Sequence, residues 1–156
     1  MRRIELFESF KDNLSQFGPF SSMEEVDKVC NELRDMFVDF VDEGHYMKVQ
    51  VFPNGVRQYD QGKVFTDGRY TISILLIDSD PDSSSFNQYE TYNTDEIYDS
   101  VMMACDYMKG YYDFDIEYEY FLQKRRTDIG FRTKKDSYFP ESTDVLQLLI
   151  EFKEKL

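Results

Sequence analysis

The chain has 156 residues, 41% of them hydrophobic and 17% aromatic, and 18 Lys and Arg stand against 31 Asp and Glu for a net charge of −13. That apolar content suffices for the core of a single domain spanning 1–156 and argues against a disordered chain. The charge disfavours direct binding of a nucleic-acid backbone by the molecule as a whole and favours a protein partner with a basic surface.

Ile4, Phe7, Phe10, Leu14 and Phe17 recur at helical spacing, so 1–18 reads as an amphipathic first helix, appended to the domain and stopped by Gly18-Pro19. Ser22 with Glu25 forms a capping box, and Met23, Val26, Cys30, Leu33, Phe37 and Phe40 then stripe a second helix up to Gly44. From Tyr46 the period falls to two, with Met47, Val49 and Val51 on one side of a strand that turns at Pro53-Asn54-Gly55. The segment 56–68 leaves one or two short edge strands open. Arg69 to Ile77 reads as a strand with Tyr70, Ile72, Ile74 and Leu76 facing inward, and its doubly apolar end places it in the middle of the sheet.

A polar, Ser-rich loop follows from Asp78 to Asn93, and Asn93 with Glu96 caps a helix bearing Ile97, Val101, Cys105 and Met108 before Gly110. Asp113 to Phe121 alternates, with Phe114, Ile116, Tyr118 and Tyr120 on one face and Asp113, Asp115, Glu117 and Glu119 on the other. Pro140 and Ser142 are expected to open a last helix bearing Val145, Leu148, Leu149 and Phe152. This order predicts an α+β fold: a mixed or antiparallel sheet of three to five strands with helices mainly on one face, resembling a split βαβ unit.

No spacing in the chain builds an enzyme site of a known kind. His45 is the sole histidine, which leaves no His-rich metal centre and no Ser-His-Asp relay, and no glycine-rich phosphate loop is present. Cys30 and Cys105 fall on apolar helix faces and read as buried hydrophobes rather than as a disulfide. Asp78, Asp80 and Asp82 imitate the opening of a calcium loop, but Ser83 stands where Gly is needed and Tyr89 where a closing Glu is needed. No cofactor and no metal are expected, and Asp78, Asp80 and Asp82 read as a solvated loop that satisfies its own backbone.

The carboxylate row Asp113, Asp115, Glu117 and Glu119 is the most ordered charge feature. Lys124, Arg125, Arg126, Arg132, Lys134 and Lys135, interrupted only by Asp128, concentrate five net positive charges in a chain that is otherwise at −18. Two readings of this basic segment follow. In one it folds back as a strand that sets Arg132 and Lys134 across from the carboxylates; in the other it is a loop that grips a phosphate or an acidic partner.

The opening MRRIELFESF and the segment LRDMFVDFVDEGHYMKVQVF resemble the starts of small uncharacterised acidic proteins of large tailed bacteriophages. That resemblance, confined to the first fifty residues, implies a phage accessory protein in the host cytoplasm, or a structural or internal virion component. Leu6-Phe7-Glu8 matches the Leu-x-Glu pattern of phage head-packaging segments that are cleaved after use. Together with the charge, it gives the expectation of a non-enzymatic interaction protein that imitates a nucleic acid or inhibits a basic groove. Asp113, Asp115, Glu117, Glu119, Lys124, Arg125 and Arg126 are its expected contact residues. An enzyme with an unrecognised site is the alternative, to be recognised by a deep pocket of convergent buried acids. No stretch reaches the roughly 20 apolar residues that cross a bilayer, so no membrane partner is expected.

Overall fold

The computed structural model describes residues 17–53, 56–60, 63–66, 68–84, 90–123 and 131–155, with the backbone alone described at 56–60, 63–66, 123, 131 and 132. Residues 1–16 of the helix expected over 1–18, and Lys124, Arg125 and Arg126, lie outside the described residues.

The second predicted helix forms as α1 (Met23–Met36), capped by Ser22, whose Oγ accepts from the Glu25 amide at 3.2 Å. The Glu25 carboxylate in turn accepts from the amide of Ser21, the residue before the cap. The stripe was expected to run unbroken to Gly44, but Phe37, at φ −111 and ψ 19, interrupts it, and a separate turn, α2 (Val38–Asp42), follows. The chain enters β1 (Tyr46–Phe52), which pairs antiparallel with β4 (Thr71–Ile77). Between them, β2 (Val56–Asp60) and β3 (Lys63–Thr66) pair only with each other, as a hairpin and not as edge strands of the main sheet.

Next come β5 (Tyr92–Asn93), a 3₁₀ turn (Thr94–Ile97) and α3 (Tyr98–Met108). The predicted capping box is present: the Asn93 side chain accepts from the Asp95 amide, and the Glu96 carboxylate accepts from the Asn93 amide. The chain ends in β6 (Phe114–Gln123), β7 (Phe131–Asp136), β8 (Asp144–Val145) and β9 (Gln147–Glu154).

The final segment is where the structure departs most from expectation. Residues 144–154 form strands and no helix, and β9 occupies the centre of a five-stranded sheet ordered β1-β4-β9-β6-β7. Val145, Leu148, Leu149 and Phe152 fit a helical stripe, yet Leu148, Ile150 and Phe152 also alternate as a strand, and local spacing cannot separate the two in a short apolar run. The distant partners decide: β9 pairs with β4 on one side and β6 on the other. Pro140 and Ser142 accordingly open no helix. Ser142 sits at φ +48 in a turn, its amide and hydroxyl both donating to the Asp95 carboxylate at 2.9 Å. The segment at Thr71–Ile77 is interior, as its two apolar faces indicate, but it is second in the sheet and not the middle strand.

Every pairing in the sheet is antiparallel. Because β4 and β6 both run opposite to β9, they are parallel to one another with β9 between them, and α3 lies on the chain connecting them. That is the split βαβ connection expected from the sequence. One sheet face gathers Val49, Ile72, Ile74, Leu76, Tyr118, Tyr120, Leu148, Ile150 and Phe152, all buried. Against it pack Val26, Val29, Cys30 and Leu33 of α1 and Val101, Ala104 and Met108 of α3.

Gly18 seals one corner of this core. At φ +52 it adopts a conformation that L side chains rarely take, and a Cβ there would fall 2.4 Å from Tyr70 Cδ2. Phe20, two residues on, packs its ring 5.6 Å from that of Tyr70. Replacing Gly18 by Ala is therefore expected to cost about 2 kcal/mol or more, from overpacking and backbone strain together. A urea unfolding midpoint equal to that of the unaltered protein would contradict this.

Candidate functional site

The opposite face of the sheet is charged. The expected alternation of Asp113, Asp115, Glu117 and Glu119 puts Asp115, Glu117 and Glu119 on this face, while Asp113 lies exposed just ahead of β6. The row is not a free negative array. Arg69 Nη1 lies 3.0 Å from Asp115 Oδ2, Lys153 Nζ donates to Glu117 Oε1 at 2.9 Å, and Lys135 Nζ stands 3.9 Å from Glu119 Oε2. In register, Lys153 faces Asp115 and Glu151 faces Glu117, so Lys153 reaches diagonally to its partner.

The described part of the basic segment, β7, folds back as a strand beside the acidic one. Its register differs from expectation by one residue: Lys135 lies across from Glu119, whereas Lys134 pairs with Tyr120 and Arg132 with Leu122. A one-residue shift sends a strand's side chains to the other face. The sequence could not fix that register, because Arg132 to Asp136 contain no apolar residue that would commit one face to the core.

Lys153 and Glu151 are buried at the centre of this face, along with Ser73 and Thr71. Burial alone would raise the Glu117 carboxyl, but the hydrogen bond and charge of Lys153 outweigh it and hold Glu117 below the ordinary glutamate value. Glu117 therefore binds a proton more weakly when folded than when unfolded. Its contribution is complete above the ordinary carboxylate range, near pH 4.3, and is lost as pH falls through the lowered folded value. Because Glu117 is part-exposed, solvent screens this contribution to about 1 kcal/mol or less. Glu117→Gln is expected to flatten the decline of the urea midpoint below pH 4.5; an unaltered acid limb would show that the pair adds nothing.

The two cysteines pack as small hydrophobes. Burial raises both thiols above their ordinary value, outweighing the nearby Arg34 at Cys30 and the Tyr118 hydroxyl at Cys105. Neither is poised as a nucleophile. Modification by a disulfide reagent at neutral pH should run at least tenfold slower on the folded protein than in denaturant, and equal rates would contradict this packing.

A cleft of about 460 Å³ opens between α1 and β1, walled by Met23, Val26, Cys30, Val49, Val51 and Tyr70. Its charged lining consists of Asp27 and Arg34, both exposed, so no buried acids converge there. Asp78, Asp80 and Asp82 do not converge either. Asp80 Oδ1 accepts from the Asp82 amide at 2.9 Å, closing a local turn, while Asp78 turns back to His45.

A different constellation, which sequence spacing did not reveal, assembles at the end of the helical layer. Glu43, at the C-cap of α2, His45, at the entry to β1, and Glu96, in the 3₁₀ turn, each bring one potential ligand atom within 4.8 Å of the others. Among the described residues it is the one such group of three. His45 and Glu96 lie fifty-one positions apart, so no local motif could announce them. The ring of His45 stacks on Phe40 at a centroid distance of 4.4 Å, and its Nδ1 lies 2.8 Å from the Asp78 carbonyl oxygen.

Among the described residues no helix is long and apolar enough to cross a membrane. Fold and site together define an α+β domain with an antiparallel split βαβ sheet, one apolar face under helices and one face of ion pairs. No family model, curated protein or solved structure matches the chain.

Proposed function

We propose that this protein is a non-catalytic binding protein that engages a protein with a basic surface through the carboxylates of its helical layer. The observation that carries this reading is where negative charge is left unmatched. On the sheet, Asp115, Glu117 and Glu119 each have an internal cation. On α1, α2 and their caps, Glu24, Asp27, Asp35, Asp39, Asp42 and Glu43 are exposed, and none forms an ion pair with a described residue. Eight carboxylates lie between Ser22 and His45 against two cations, Lys28 and Arg34.

Acids that protrude from a packed helical layer can present a dense negative field to a basic groove, speeding encounter and rejecting acidic competitors. Met23, Val38 and Val41 are exposed among them at 56%, 49% and 43%, which supplies apolar contact within a charged rim. The resemblance of the first fifty residues to small proteins of tailed phages agrees with an accessory role toward a host or phage protein.

Affinity capture from a bacterial lysate with three immobilised forms tests the proposal. The unaltered chain and a sheet variant, Asp115→Asn with Glu117→Gln, are expected to retain the same basic protein. Asp35→Lys with Asp39→Lys should lose it while keeping the unaltered circular dichroism spectrum. Retention by the helix variant, or loss with the sheet variant alone, would overturn the assignment to the helical layer.

A further inference from the structure

We propose that Glu43, His45 and Glu96 form a site for a borderline divalent cation of the zinc class, one that clamps the end of α2, the start of β1 and the 3₁₀ turn before α3. Three features of the geometry lead there. The first is donor chemistry: one imidazole and two carboxylates, each with a ligand atom within 4.8 Å of the other two. Imidazole suits zinc and its neighbours, whereas calcium and magnesium prefer cages of oxygen.

The second feature is the preparation of the ring. A carbonyl oxygen only accepts, so Nδ1 carries the proton it shares with Asp78 O at 2.8 Å, and the lone pair of the neutral ring lies on Nε2. Asp78 Oδ1 stands 3.4 Å from the same nitrogen. Metal-binding histidines are characteristically held this way, by a carbonyl or carboxylate on the nitrogen that does not bind. Phe40 on one side and Tyr92, 6.0 Å away, further restrict the ring, which is 17% exposed.

The third feature is electrostatic. Glu43 and Glu96 bring two carboxylates together, and neither forms an ion pair with a described residue. Glu96 keeps its helix-capping bond through Oε2, accepted from the Asn93 amide at 3.2 Å, which anchors that side chain and leaves Oε1 available. Tetrahedral zinc, with bonds of about 2.05 Å, needs ligand atoms roughly 3.3 Å apart. The ligand atoms, all within 4.8 Å of one another, reach that spacing by movement of the exposed side chains Glu43 and Glu96, which can turn without disturbing the core. Water completes the fourth position.

The single histidine makes the test direct. The full ¹⁵N-labelled chain is titrated with zinc sulfate and its imidazole followed in long-range ¹H–¹⁵N correlation spectra. The Nε2 resonance is expected to shift and to saturate at one equivalent, with magnesium sulfate producing no such shift. Glu43→Gln and Glu96→Gln, the latter retaining a side chain that can still cap the helix, should each weaken zinc binding about tenfold or more. Ring resonances that do not respond to zinc, or glutamine variants that bind as tightly as the unaltered chain, would overturn the site. Zinc taken up with no change at His45 would mark an adventitious ion on the acidic surface and likewise overturn it.

Discussion

The pairing of β9 with both β4 and β6 holds the rest of the molecule in place. Seven residues of β9 bond in register to β4 and eight to β6, joining strands far apart in the chain. Without that strand, β4 and β6 would have unpaired backbone edges, and Ile74, Leu76, Tyr118 and Tyr120 would lose the Leu148-Ile150-Phe152 row that completes their layer. Backbone groups buried without partners cost far more than a paired bond returns, so α1 and α3 have a surface to cover only once the C-terminal strand is inserted.

The same insertion decides the fate of the charges. Lys153 arrives on β9 between carboxylates, and Glu117 and Asp115 take their cations from β9 and from Arg69 ahead of β4. The sheet face thus becomes a set of ion pairs. The excess of acid over base in the composition cannot disappear, however, and it is left on α1, α2 and the 3₁₀ turn, where helix surfaces face outward. At the end of that layer, Glu43 and Glu96 converge on a histidine whose ring is already oriented by Asp78 and Phe40.

Much of the architecture was legible in the residues because it rests on local chemistry. Ser22 with Glu25 and Asn93 with Glu96 cap their helices through bonds spanning two to four residues, so the spacing alone identified them. The alternation at Tyr70, Ile72, Ile74 and Leu76 and at Tyr118 and Tyr120 placed the core face, because a strand's period of two does not depend on its partners. The split βαβ connection followed from the order of these elements.

What the sequence determined by itself, then, was which segments are amphipathic, where α1 and the 3₁₀ turn before α3 start, and how far the net charge departs from neutrality, since each is a property of neighbouring residues. Only the tertiary structure decided that 147–154 is the central strand, that Lys135 and not Lys134 faces Glu119, and that Glu43, His45 and Glu96 meet. The physical reason is common to all three. Strand pairing, register and convergent side chains depend on which distant segments share one sheet or one corner, and a short apolar run or an isolated histidine carries no local record of its partners.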